Sequence, residues 1–417
     1  MNIGYYSPGW PTERYPNGIV SYVDIIKSAM ALQGHDCYVF AYNTQGERLA
    51  TNIVDLGKTR QAFKPGRFNK IIKKIYHSII LGKPIWKDES LARSFLHHIE
   101  ELEHTHNIHL DIIEIEESHG WAYDLVKLTD IPVVVKLHGP WFLNGTMSKK
   151  MMDRKYYRRV EAERRGICAA AGVIAPSQSV LDEVEKYYGI QLPNARVIHN
   201  PVSDVPEHKQ WKLSQCNINQ VLFVGRFDEP KGGDVVIKAF NRVAKLNKQV
   251  QLVFAGPDRG VRLGDDVVSL KDYIDTTIED TAIKERIRYL GVVTRDKVNE
   301  LRHESHVTII ASRWENFPYT VTEALVAGCP TIATNCGGIP EIIKDNETGL
   351  LFGSGDEIEL ANKISLLLSD DELAIRLSGN ARKDITFRLD QVKIAKQNIE
   401  YYSRVVEHQL ESSKPLL

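Results

Sequence analysis

The sequence predicts an α/β protein made of two doubly wound parallel-sheet domains facing each other across a cleft. Three observations support this. The chain has 417 residues, more than one compact core usually holds, so two units of about 200 residues are expected. Short continuous apolar runs recur along it, as suits strands buried on both faces of a parallel sheet. Each run is followed by a segment with helical spacing, the alternation of a helix-covered sheet. A single (β/α)8 barrel of about 250 residues would leave much of the chain unused.

In the first half the apolar runs are Ile3–Tyr6, Tyr38–Ala41, Ile112–Ile115, Val133–Leu137, Val173–Ala175 and Val197–Ile198. In the second half they are Val221–Val224, Leu252–Ala255, Val307–Ala311, Thr331–Ala333 and Leu350–Phe352. The helices between them are readable as well. Ile19, Val23, Ile26 and Met30 share one helical face, and Gly34 is placed to cap its C-terminus. The strand pattern stops at Asn200-Pro201 and resumes at Val221 after a polar stretch. The expected units are therefore residues 1–200 and 201–390, with 391–417 a helical tail packing back on the first.

Composition narrows the function classes. With 43% hydrophobic and 26% charged residues the chain has material for two ordinary cores. A net charge of -1 gives no general polyanion-binding surface, so nucleic acid is not an expected partner. The five cysteines (Cys37, Cys168, Cys216, Cys329, Cys336) are odd in number and never form CxxC, which disfavours a disulfide framework or a zinc site. Met1-Asn2-Ile3-Gly4 runs directly into a strand pattern without a basic, then apolar leader. No run of about 18 apolar residues is present. A cytoplasmic location is the expectation.

The segment Ser312-Arg313-Trp314-Glu315-Asn316-Phe317-Pro318-Tyr319-Thr320-Val321-Thr322-Glu323 sets one carboxylate in a loop after a buried strand and another inside the following helix. Such a helix start offers free N–H groups and a positive dipole end to a phosphate. Glu315 would sit at the mouth of the site and Glu323 a turn inside, each a good acceptor for sugar or ribose hydroxyls. By spacing alone, a solvated Glu and a helix-surface Glu look the same. In Val224-Gly225-Arg226-Phe227-Asp228-Glu229-Pro230-Lys231-Gly232, a forked donor and a mobile point charge follow a strand and can clamp a diphosphate.

With Gly337-Gly338-Ile339-Pro340-Glu341 and Thr348-Gly349-Leu350 beyond it, this stretch resembles the signature of the retaining family 4 glycosyltransferases, whose paired Rossmann-like domains form the GT-B fold. The resemblance is dense over Val221 to Phe352 and looser before it. It implies a first domain that receives the acceptor and a second that binds a nucleotide sugar. Glu315 would contact the donor sugar and Glu323 the ribose, while backbone amides of Phe317, Tyr319, Thr320 and Val321 touch sugar or diphosphate. Arg226 and Lys231 would neutralise the departing diphosphate. Pro318 stands where the family often has glycine, and it has no N–H to offer.

The resemblance reaches three further places. Two adjacent family glycines in the first βα loop become Asn17-Gly18, where Asn tolerates positive φ and Gly18 lets backbone approach the donor phosphates. His138 would lie beside the reacting sugar, with Ser177 and Asn200 also at strand ends facing the cleft. Leu290-Gly291-Val292 falls where the base is recognised through backbone groups. No DxD is placed to hold a metal, so neither metal nor cofactor is expected. Front-face attack with retention follows from the family, since no residue is marked as a double-displacement nucleophile.

Lys58, Arg60, Lys64, Arg67, Lys70, Lys73, Lys74, Lys83 and Lys87 form a basic run interleaved with Ile71, Ile72, Ile75, Ile79, Ile80 and Trp86. A second basic stretch spans Lys149 to Arg165. The first can lie on an anionic membrane at the inner face, and both fall in the first domain, suiting a saccharide or lipid-linked saccharide acceptor; a solvated basic face or lid is the alternative.

The expected activity is transfer of a sugar from a UDP- or GDP-sugar to a hydroxyl acceptor, in polysaccharide or cell-envelope glycan synthesis. The alternatives are a non-catalytic sugar-nucleotide-binding partner of another transferase and a GT-B nucleotide-sugar epimerase. A phosphorylase would need a pyridoxal phosphate lysine, which nothing announces, and a dehydrogenase would need GxGxxG after an opening strand.

Overall fold

The computed structural model describes residues 1–15, 17–42, 44, 52–57, 59, 90–147, 152–264 and 266–412. The first unit holds seven strands: β1 (Asn2–Ser7), β2 (Asp36–Ala41), β3 (Ile53–Asp55), β4 (Ile112–Glu116), β5 (Val133–Lys136), β6 (Gly172–Ala175) and β7 (Ala195–Val197). They pair in parallel in the order β3-β2-β1-β4-β5-β6-β7. The second unit holds β8 (Asn217–Val224), β9 (Gln251–Ala255), the antiparallel hairpin β10 (Val261–Leu263) and β11 (Asp266–Val268), then β12 (Ile287–Gly291), β13 (Ser305–Ile310), β14 (Thr331–Thr334) and β15 (Leu350–Phe352). Its six-stranded parallel sheet runs β12-β9-β8-β13-β14-β15. The two sheets are the two α/β units read from the sequence.

Strand periodicity of two explains why both faces are apolar. In β5, Val133 and Val135 join a core cluster on one face and Val134 joins another on the opposite face. In β9, Leu252 and Phe254 point one way and Val253 and Ala255 the other. Helices cover each face. The helix Gly18–Ala31 buries Val23, Ile26 and Met30. It ends as expected: Gly34, at φ 78°, donates to Ala31 O while His35 N reaches Met30 O, a six-to-one closure.

Four strands give no apolar run in the sequence. β12 is an edge strand with Arg288 and Tyr289 exposed, β10 and β11 form a largely solvent-facing hairpin, and β3 has only three residues at the other sheet's edge. The exposed strands β10, β11 and β12 need no continuous burial, so they carry no continuous apolar signal, whereas β3 is buried at Ile53 and Val54 but is only three residues long.

Chain crossing ties the halves. Val202 N bonds Leu389 O at 3.0 Å, and Trp211 enters the second core. The last helix, Gln391–Ser412, returns to the first unit, where Ile394, Ala395 and Tyr402 are buried beside Ile3, Tyr5 and Val20. Tyr402 OH donates to Glu114 Oε2 at 2.6 Å, and Tyr22 OH reaches the same oxygen at 3.3 Å. Fully buried Lys136 directs Nζ to Ile198 O at 2.8 Å. Burial lowers its pKa while Glu114 opposes that shift. No described helix is long and apolar enough to cross a membrane. Apart from Thr59, the basic segment 58–87 lies outside the described residues, as does the start of the 149–165 stretch.

Candidate active site

In each sheet the chain reverses its direction of travel once: between β1 and β4 in the first, and between β8 and β13 in the second. Loops leaving the C-terminal ends of adjacent strands diverge at such a switch point and open a crevice. Gly18 follows β1 and His138 follows β5; Arg226 and Lys231 follow β8, and Glu315 follows β13. Leu290 is the penultimate residue of the edge strand β12, with β9 between it and β8.

After β8, Asp228 Oδ1 accepts Lys231 N at 3.0 Å and caps the short 3-10 turn Glu229–Lys231. Gly232 closes the turn at φ 70°, where an added Cβ would lie 1.9 Å from Ala311 O. Only glycine lets this loop seat directly on the end of β13. Lys231 thereby reaches Glu315, its Nζ donating to Oε1, which also accepts Ser312 Oγ at 2.7 Å. Arg226 lies nearer solvent, at 44% side-chain exposure, with Nε on Asp228 Oδ2 at 2.5 Å. Arg313 locks the two loops together through Asp234 (2.7 and 3.0 Å) and Glu229 O. That carboxylate hydrogen bonding raises its pKa.

The glycine pair downstream has a steric role. Gly338 N donates to Glu315 O at 2.9 Å, and a Cβ on Gly337 or Gly338 would come within 1.9 or 2.0 Å of Glu315 O or Asn316 O. The Glu315–Asn316 backbone is thus pressed onto a glycine platform. Phe317 turns inward and stacks on His199, centroids 4.9 Å apart. Pro318 starts the helix Tyr319–Val326 without a side-chain cap. Val321 is fully buried and its amide donates to Pro318 O at 3.2 Å.

Glu323 does not stand as an open carboxylate. Its Oε1 accepts Arg295 Nη2 at 3.0 Å and its Oε2 pairs with Arg302 Nη2 at 2.9 Å. Arg302 is 1% exposed.

Several contacts join the halves across the crevice. Asn316 Nδ2 donates to His138 O at 2.9 Å, and Ser177 Oγ donates to Asn316 O at 2.9 Å. Glu341 accepts Gln178 N and Ser179 N at 2.9 and 3.0 Å, so a carboxylate of one unit covers a helix N-terminus of the other. A Cβ on Gly18 would sit 3.9 Å from Tyr319 Cδ2. Gly18, His138, Ser177, Lys231 and Glu315 are therefore linked around one crevice. Asn200, 6% exposed with Oδ1 unpartnered, follows β7 and is not tied to these residues by any of the contacts above.

Asn17 corrects the expectation drawn from its tolerance of positive φ. It is extended at φ -136° and caps the helix, its side chain accepting Ile19 N at 2.8 Å. Asn serves here as an N-cap rather than as a substitute glycine. The His138 imidazole packs edge-to-face on Tyr22, centroids 5.2 Å apart. Burial, helped by Lys136, lowers its pKa to about 3, so the ring is neutral at ordinary pH. Among the described residues no group of three His, Cys, Asp or Glu is arranged to hold a metal ion.

Two family models cover the chain in succession: "Glycosyltransferase Family 4" over residues 16–204 and "Glycosyl transferases group 1" over 204–384. The chain belongs to the family 4, group 1 glycosyltransferases. This glycosyltransferase is 26% identical over 319 residues to an uncharacterised glycosyltransferase of Methanocaldococcus jannaschii, covering 72% of this chain and 77% of that one. It is 26% identical over 262 residues (62% and 67%) to a Campylobacter jejuni α-1,4-N-acetyl-D-galactosaminyltransferase named for a diphospho-undecaprenol-linked saccharide. Among solved structures, Anabaena HepE in complex with UDP and glucose superposes with a TM-score of 0.68 at 19% identity, covering 97% of this chain and all of that one. The glycosyltransferase has the GT-B fold.

Sequence reasoning assigned no part to Asn316, Arg295, Arg302 or Glu117. Asn316 could have been suspected from its place between Glu315 and Phe317. The arginines and Glu117 carry no local signal, because their partners are distant in sequence.

Proposed function

We propose that this glycosyltransferase moves a sugar, with retention, from a UDP- or GDP-sugar to a hydroxyl acceptor in polysaccharide or cell-envelope glycan synthesis. The observation that carries the reading is the Lys231–Glu315 pair at the switch point of the second sheet, with Arg226 beside it and the Tyr319–Val326 helix start next to it. Lys231 and Arg226 stabilise the charge that grows on the leaving diphosphate, and fixed cations there favour the transition state over the ground state. Glu315 accepts donor-sugar hydroxyls. Glu323, oriented by its arginines, accepts ribose hydroxyls with its remaining lone pairs. The amides of Phe317, Tyr319 and Thr320 meet sugar or phosphate, Gly18 admits the donor from the opposite wall, and the backbone around Leu290 meets the base.

Two cations supply the charge neutralisation for which other transferases recruit a divalent metal, so turnover proceeds without one. His138, neutral, hydrogen-bonds the reacting sugar or acceptor hydroxyl rather than acting as an acid. The acceptor proton passes to the departing phosphate on the same face. The UDP and glucose of the Anabaena structure and the lipid-linked saccharide in the Campylobacter relative's name support a nucleotide donor and an envelope-type acceptor. A basic segment from Lys58 to Lys87 suits contact with an anionic membrane; failure to sediment with anionic liposomes at low salt would refute that contact.

A thermal-shift panel with UDP, GDP and ADP, free and as sugar conjugates, tests the donor reading. Ligand at 100 times its dissociation constant adds about 2.7 kcal/mol. One base should stand out, and Arg226→Ala should abolish the shift. No shift with any nucleotide would overturn the proposal.

A further inference from the structure

The loop that carries His138 is held by two buried carboxylates, Glu117 and Glu163. Glu117, just after β4, is 2% exposed. Its Oε2 accepts His138 N at 2.9 Å and its Oε1 accepts Gly139 N at 2.8 Å. Pro140 has no N–H. The next amide, Trp141 N, goes to Glu163 Oε2 at 2.7 Å. Glu163 is itself fully buried, and its Oε1 accepts His119 N at 3.3 Å and Arg159 Nε at 2.8 Å. Every backbone donor from His138 to Trp141 thus ends on a buried carboxylate.

The carbonyls of the same loop point the other way. His138 O accepts Asn316 Nδ2 from the donor half at 2.9 Å, and Gly139 O accepts Asn144 Nδ2 at 2.9 Å. A Cβ on Gly139 would lie 2.2 Å from Asn144 Nδ2 and 2.7 Å from Asn316 Nδ2. The loop is therefore fixed on both sides, by Glu117 below and by the neighbour of Glu315 above. Amide-to-carboxylate bonds are roughly twice as strong as neutral ones and directional, so they set the height of the backbone.

We propose that Glu117 is a positioning residue of the transfer reaction, its carboxylate holding the His138–Gly139 backbone where His138 meets the reacting sugar and Asn316 meets the loop. This rests on the donor reading above. Both oxygens of Glu117 are taken by the His138 and Gly139 amides, so it acts through His138. Glutamine cannot replace it, because one oxygen becomes an NH2 that opposes an incoming N–H.

Among the described residues, the charged and titratable groups around Glu117 include His138, whose amide it holds, Glu116 on its own strand end, Glu163 and Arg159 on the helix Arg154–Ala169, and Tyr188 on the helix Gln178–Tyr188. Burial, then repulsion from Glu163, raises its pKa to about 7 while the amides it accepts lower it. Protonation removes one acceptor, so the clamp holds above about 7 and loosens as pH falls through it.

The test uses the full chain, wild type and Glu117→Gln, with UDP and GDP as binding probes. Turnover is followed as release of nucleoside diphosphate from whichever sugar nucleotide shifts the wild-type melt most. Glu117→Gln should lower kcat on the order of 100-fold, as a misplaced loop does, while leaving the nucleotide-induced shift intact. The wild-type kcat should show an acid limb near pH 7 that the variant lacks. A kcat within about threefold of wild type, or a fall matched by lost nucleotide binding, overturns the role. If the variant does not melt cooperatively, the wild-type profile decides alone: a flat kcat between pH 6 and 8 overturns the role. No nucleotide shift in the wild type removes the donor reading and this role together, whereas a normal shift with unaffected kcat removes the role alone.

Discussion

Truncating Glu323 should destabilise the protein more than removing its buried partner, and this bears on how any activity loss is read. Glu323 keeps 22% side-chain exposure and two arginines, while Arg302 is 1% exposed and pairs with this one carboxylate among the described residues. Its Nη1 also donates to Asn299 Oδ1 at 3.1 Å, and its Nε is buried without a partner. Glu323→Ala therefore strands a buried guanidinium, which costs about 3–5 kcal/mol. Arg302→Met fills similar volume with apolar atoms and leaves Glu323 paired with Arg295 near solvent, so its cost is about 1–2 kcal/mol. The double variant should cost less than the sum by about 1–3 kcal/mol, since the second change removes the charge that the first left unpaired. Urea denaturation of the three variants, followed by circular dichroism, measures this. Glu323→Ala within about 0.5 kcal/mol of wild type would refute the buried-pair reasoning.

Three further outcomes are expected. Lys231→Met, which removes the cation on Glu315, should lower kcat by about 100- to 1,000-fold with a smaller change in donor KM; an equal rise in KM with kcat intact would show uniform binding instead. Activity should survive excess chelator, and full loss restored by magnesium or manganese would overturn metal independence. Glu116 has its pKa raised from 4.5 to about 8 by burial and then by Glu117. A raised carboxylate keeps its proton longer when folded, so its stabilising contribution is full below about 4.5 and is lost as pH rises through about 8. Glu116→Gln should flatten the melting temperature between those pH values, and an unchanged slope would refute the assignment.

Much of the fold was legible because central strands must be apolar on both faces. Val133 to Val135 and Leu252 to Ala255 could be read as buried parallel strands from residue type alone. The Gly34 closure and the helical face of Val23, Ile26 and Met30 were legible for the same local reasons. β12 and the β10–β11 hairpin were not, since an edge meets solvent and any residue that tolerates extended backbone can stand there. Asn17 shows the limit of local rules: its composition fits either a positive-φ turn or an N-cap, and the helix start decided for the cap.

The sequence by itself determined two βα series, the strand-end positions of Gly18, His138, Arg226, Lys231 and Glu315, and the residue types suited to a diphosphate and a sugar. Tertiary structure alone decided which groups meet. Lys231 finds Glu315 across 84 residues, Glu323 is held by arginines 28 and 21 positions before it, and Asn316 reaches His138 across 178. Hydrogen bonds and ion pairs act over about 3 Å, so they depend on which loops the switch points bring side by side. Spacing along the chain carries no record of that, because the sheet order that sets it is fixed by the packing of both cores together.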